Sequence, residues 1–102
     1  MKIFLISDNT DTKTGLRLAG VSGAVAHTKK EFETELNGAL GDRSVGILLI
    51  TEKLAKRFPE LIDEVRLGRN LPLVVEVPDR HGAGRGGDFI TEYVRNAIGL
   101  RL

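Results

Sequence analysis

Val45-Gly46-Ile47-Leu48-Leu49-Ile50, followed by Thr51, is apolar without alternation. An antiparallel strand with one wet face would alternate, whereas an unbroken apolar run fits a parallel strand covered on both sides. The same reading applies to Ile3-Phe4-Leu5-Ile6 and to the run holding Leu73, Val74, Val75 and Val77, and more weakly to Gly23-Ala24-Val25-Ala26-His27. The small residues of that weaker run invite close approach by a neighbour.

Helical signals separate these runs. Ser7 to Thr12 is a polar turn rich in capping side chains, and a short helix follows through Leu16, Leu18 and Ala19 to Gly20. Thr28-Lys29-Lys30-Glu31 is a capping box, Phe32, Leu36, Ala39 and Leu40 mark one helix face, and Gly41 ends it. Thr51 is placed to cap a further helix with Leu54, Phe58, Leu61, Ile62 and Val65 as its stripe, running to Gly68. Pro59 removes an amide and disfavours the helical region for Phe58, which predicts a kink or two short helices.

Alternating strands and helices predict an α/β fold: an open, doubly wound, four-stranded parallel sheet in order 2-1-3-4, receiver- or flavodoxin-like, with helices on both faces. Residues 1–77 form its core. Residues 78–102 hold a connector, Pro78 to Gly87 with four glycines from Gly82, and an amphipathic C-terminal helix. Asp88 is its cap, its apolar face carries Phe89, Ile90, Tyr93, Val94, Ala97 and Ile98, and Gly99 ends it. Glycine loses the most backbone freedom on ordering, so the connector reads as a flexible hinge.

With 102 residues and 41% hydrophobic content the chain suffices for one small core. Fifteen Lys and Arg against 14 Asp and Glu leave a net charge of +1, which speaks against a dedicated nucleic-acid binder. Cysteine is absent, so no disulfide or thiolate metal site exists, as suits a cytoplasmic protein. The apolar run at Ile3–Ile6 is too short for a signal-peptide core or a membrane span.

Gly82-Ala83-Gly84-Arg85-Gly86-Gly87 matches the dinucleotide fingerprint, yet too little chain follows for a second strand, and Asp88 puts negative charge where pyrophosphate would sit. It also lacks the Gly-Lys-Ser/Thr of a Walker loop. The expected ligand-binding ends of the strands carry Ser7, Asp8, Asn9, His27, Thr28, Thr51, Glu52, Glu76, Asp79 and His81. A phosphorylation-dependent receiver needs an acceptor aspartate ending the third strand, where this chain has Thr51, and a cation ending the fourth, near Glu76. His27 and His81 with Glu76 or Asp79 make a weak metal signal. Glu33, Glu35, Glu60, Asp63 and Glu64 read as solvated helix surface, and Arg66, Arg69, Arg80 and Arg85 as surface or contacts to an acidic helix. These residues suggest no catalytic residue, cofactor or metal. A receiver-like signalling domain or a small-ligand binder is the competing reading.

Across essentially its full length the chain resembles the F subunit of the V-type and archaeal-type rotary ATPases. The resemblance is carried by Lys2 to Asp8, Asp11-Thr12 with Gly15 to Gly20, Gly46 to Lys53, Leu71 to Pro78, and Arg80-His81-Gly82. The extra glycines at Gly84 to Gly87 depart from that pattern. The resemblance implies a non-catalytic member of the central stalk, peripheral to the membrane without inserting in it. It implies binding to the coiled coil of the D subunit within a machine that couples ATP to proton or sodium transport. Its C-terminal segment would alternate between packing on its own domain and extending along the stalk. Arg80, His81, Arg85, Phe89, Ile90, Tyr93 and Val94 are then the partner-binding candidates.

Overall fold

A computed structural model describes residues 2–68 and 71–78. In chain order they form β1 (Lys2–Ser7), α1 (Thr10–Leu18), β2 (Ser22–Val25), α2 (Lys29–Gly41), β3 (Val45–Thr51), α3 (Glu52–Arg57), α4 (Pro59–Gly68) and β4 (Leu73–Val77). The strands make one parallel sheet in the order β2-β1-β3-β4, the expected topology. Of the connector and helix read into residues 78–102, all but Pro78 lie outside the described residues.

The sheet sorts its side chains by parity, because neighbouring residues on a strand point to opposite faces. Phe4 pairs with Leu48, Ile6 with Ile50, and Leu48 with Val74. These side chains meet Phe32 and Leu36 of α2, Leu54 of α3, and Ile62 and Val65 of α4 in the larger core. Leu5, Ile47, Leu49 and Val77 face the other way and pack with Leu16 of α1 and Val21. All seven residues of β3 are buried, which is why its run could not alternate. Each Leu or Ile withdrawn from water there contributes roughly 1.5–3 kcal/mol before entropy is counted.

Local chemistry sets the boundaries. The capping box at Thr28 is formed: the Glu31 amide donates to Thr28 Oγ1 at 3.1 Å, and Glu31 Oε1 accepts the Thr28 amide at 3.2 Å. The helical stripe after Thr51 breaks at Phe58, giving α3 and α4 with Pro59 as the first residue of the second. Proline fits there because a first-turn amide has no intrahelical partner. The amides of Leu61 and Ile62 restart the ladder on Phe58 O, at 3.2 and 3.5 Å. The Phe58 ring stacks on Phe32 with centroids 5.4 Å apart, and the Arg57 guanidinium lies 5.0 Å from its centroid.

Three expectations need adjustment. The first helix begins at Thr10, inside the supposed polar turn, because Asn9 Oδ1 accepts the Thr12 amide at 2.7 Å and caps it. The second strand starts and ends earlier than Gly23–His27, although the Ala26 amide still bonds Ser7 O at 2.8 Å. Thr51 occupies the cap position of α3 but makes no side-chain capping bond, its hydroxyl being engaged with the neighbouring strand end.

Candidate functional site

In an open parallel sheet the strand order reverses between β1 and β3, and the crevice beyond their carboxyl ends is where such folds place ligands. Here the crevice is held together by its own residues. Ser7 Oγ, fully buried, donates to Asn9 O at 2.7 Å and accepts the Asn9 amide at 3.0 Å. Asn9 Nδ2 donates to Asp8 Oδ1 at 3.2 Å while its Oδ1 caps α1. The Asp8 amide donates to Thr51 Oγ1 at 3.2 Å, joining the two strand ends. Ser7, Asp8, Asn9 and Thr51 thus come together as a knot of turn and cap bonds. At the end of β3 Thr51 offers a buried hydroxyl rather than a carboxylate, so the acyl-phosphate chemistry of a receiver has no acceptor there.

The remaining strand-end candidates serve separate purposes. His27 is exposed; its amide donates to Glu31 Oε1 at 2.8 Å and its carbonyl accepts from Arg57 Nη1 at 3.0 Å. The His27 amide foremost, then that of Thr28, holds the Glu31 carboxyl below its ordinary 4.5. Glu52 reaches Lys56 at 3.9 Å along α3, and Glu76 reaches Arg66 at 3.8 Å. Among the described residues no three His, Asp or Glu side chains gather as a metal-binding group. Asp79, Arg80, His81, Arg85, Phe89, Ile90, Tyr93 and Val94 lie outside the described residues.

Away from this crevice the surface departs from the sequence reading: Leu73, expected in a strand covered on both sides, is the exposed first residue of β4, and Leu18 of the first helix faces solvent. Leu18, Leu67, Leu71 and Leu73 are exposed, Leu67 to 89%. All four fall near the ends of helices or the start of β4, at the pole of the sheet opposite the crevice. A cationic hollow of about 210 Å³ lies between Lys13 and Arg17 of α1 and Ser22 and Gly23 of the edge strand. The only available signal was the spacing of Lys13 and Arg17, four apart on one helix.

Compared with known sequence families, residues 3–94 match the one described as ATP synthase (F/14-kDa) subunit. The chain is 39% identical over 107 aligned positions to the F subunit of the A-type ATP synthase of Thermococcus kodakarensis, and 36% identical to that of Pyrococcus abyssi. Each alignment covers 100% of this chain and 98% of the relative. The F subunit of the A-type ATP synthase of Methanothermobacter thermautotrophicus is 33% identical over 94 positions, covering 90% of this chain and 88% of its own.

The chain belongs to the ATP synthase (F/14-kDa) subunit family.

The family's relatives are subunits of an A-type ATP synthase; in this F-family chain Ser7, Asp8, Asn9 and Thr51 at the strand ends are engaged in turn and cap bonds. The match runs on to residue 94, so it includes the stretch from Asp79 that holds the partner-binding candidates. No helix among the described residues is long and apolar enough to cross a membrane.

Proposed function

We propose that this chain is the non-catalytic F subunit of the central rotor stalk of a V/A-type ATPase. In this reading it binds the coiled coil of the D subunit and regulates how ATP hydrolysis or synthesis is coupled to proton or sodium transport. It works at the cytoplasmic side as a peripheral part of the complex. Residues 1–77 act as the rigid body and residues 78–102 as the switch. The glycine-dense connector lets the helix beginning at Asp88 exchange its apolar face between its own sheet and the partner coil, an element with two resting places. The observation that carries the reading is the match over residues 3–94, with relatives aligned along the whole chain.

The test is co-purification of the full chain with its cognate D subunit. Buried aromatics dominate interfaces, so Phe89→Ala with Tyr93→Ala weakens binding more than Arg95→Ala does. Equal losses in all variants, or no complex with the D subunit, overturn the reading. Amide exchange of the free chain tests the switch: residues 89–98 exchange faster than Ile47 to Ile50, and equal protection removes the second resting place. Alone, the chain hydrolyses no ATP; measurable turnover sinks the proposal.

A further inference from the structure

Helices α2 and α4 cover the same face of the sheet without closing over one another. Between them runs an open groove of about 260 Å³. Its floor is Leu36 and Val65, both buried, its sides are the half-buried Leu40 and Leu61, and Glu33 and Glu64 stand at its edges. The volume falls below the roughly 300–1,000 Å³ of cofactor sites and suits one or two inserted apolar side chains.

The charge around this groove is one-sided. The residues that line it include two carboxylates, Glu33 and Glu64, and no Lys or Arg; Glu60, one turn before Glu64 on α4, adds negative charge to the same helix face. The whole chain is nearly balanced at +1, so this is a local concentration of negative charge. Arg66, the next base along α4, is drawn toward β4 by Glu76 and by Val74 O. Glu33 and Glu64 form no hydrogen bond or ion pair among the described residues, which leaves both carboxylates available to a visitor.

We propose that the α2–α4 groove is a docking surface for a basic amphipathic helix of a partner polypeptide. An apolar side chain of that helix seats between Leu40 and Leu61, and its Lys or Arg residues one turn to either side meet Glu33 and Glu64. A helix suits the site because it presents an apolar anchor flanked at fixed spacing, and the groove offers no free strand edge for an extended peptide. The carboxylates steer a cationic partner and repel an acidic one. The described lining of this surface comes from α2 and α4 alone, and none of the C-terminal candidates invoked above is needed for it.

The experiment uses the full chain, isotopically labelled and titrated by NMR with a synthetic helical peptide carrying leucines on one face and lysines flanking them. A counterpart with every Lys replaced by Glu is the control. Shifts are expected at Leu36, Leu40, Leu61 and Val65, with affinity falling as salt rises. The double variant Glu33→Lys/Glu64→Lys should bind roughly tenfold more weakly or worse. Its melting temperature should match the parent, since neither carboxylate has a bond to lose among the described residues. Shifts centred elsewhere, equal affinity for the acidic peptide, unchanged affinity in the charge-reversed variant, or a groove filled by a second copy of the chain would overturn the assignment.

Discussion

The backbone amide of Asp8 donates to the hydroxyl of Thr51 over 3.2 Å, tying the end of β1 to the end of β3 where the strand order reverses. Thr51 is fully buried, so its hydroxyl exchanges no bonds with water. Thr51→Val keeps the shape and removes the acceptor, leaving the Asp8 amide without its partner at a cost of roughly 1–3 kcal/mol. Thr51→Ser keeps the acceptor and loses one buried methyl, at about 1 kcal/mol or less. Denaturant unfolding of the two variants reads the difference, and valine no worse than serine would show the bond to be dispensable.

Gly23 lies on β2 directly opposite Leu5, and a Cβ built on it falls 2.9 Å from Leu5 O and 3.0 Å from Leu5 Cβ. The nearest obstacle is backbone, which cannot swing aside as a side chain tip can. Gly23→Ala is therefore expected to destabilise by roughly 1–3 kcal/mol. A domain of 60–100 residues loses about 4–8 °C of melting temperature for each kcal/mol. Gly38→Ala in α2 is the matched contrast: nothing lies within 4 Å of its Cβ, and helix propensity favours alanine by about 0.8–1.0 kcal/mol. Calorimetry should move the two variants in opposite directions.

The fold was legible because β1 and β3 are unbroken apolar runs, and only a sheet covered on both faces makes use of them. Pro59 announced its break for an equally local reason, and so did the Thr28–Glu31 box. What escaped were features made by two distant segments at once. Thr51 looked like a helix cap because a threonine precedes a helix; that its hydroxyl would serve Asp8, 43 positions away, depends on β1 and β3 being neighbours. Glu33 and Glu64 each read as ordinary solvated carboxylates, and only the packing of α2 beside α4 sets them at one groove. The residues proposed to bind the D subunit were named through the family resemblance, with the glycine-rich composition before Asp88 and the helical spacing after it as the local signal.

Thr12 supplies a test of the opposite sign. Its side chain is fully buried in α1, and its Oγ1 has no hydrogen-bond partner among the described residues. A buried hydroxyl without a partner carries an unrecovered desolvation cost, so Thr12→Val is expected to be neutral or to stabilise by up to about 1 kcal/mol. The capping bond of Asn9 goes to the Thr12 amide and survives the change. Clear destabilisation measured by denaturant unfolding would mean that the hydroxyl does have a partner, such as a trapped water.

Acidification should act through Glu31 and Asp42, whose carboxyls both sit below their ordinary values of 4.5 and 3.8. Amides of His27 and Thr28 hold Glu31 down, in that order; for Asp42 it is first the Ser44 hydroxyl at 2.6 Å, then the Ser44 amide at 2.9 Å. A carboxyl depressed by folding binds fewer protons in the native chain than in the unfolded one over the interval between its two values, so stability rises with pH there. Its contribution is complete above the ordinary value and disappears as pH falls through the depressed one. Glu31→Gln keeps an oxygen able to accept both amides and removes only the charge. The variant is expected to be less stable than the parent at neutral pH and to converge on it as pH falls from 4.5, where the unfolded chain takes up the proton, through the lowered value, where the folded parent does. Unfolding midpoints across the acid range measure this, and two parallel profiles would show that the charge on Glu31 contributes nothing.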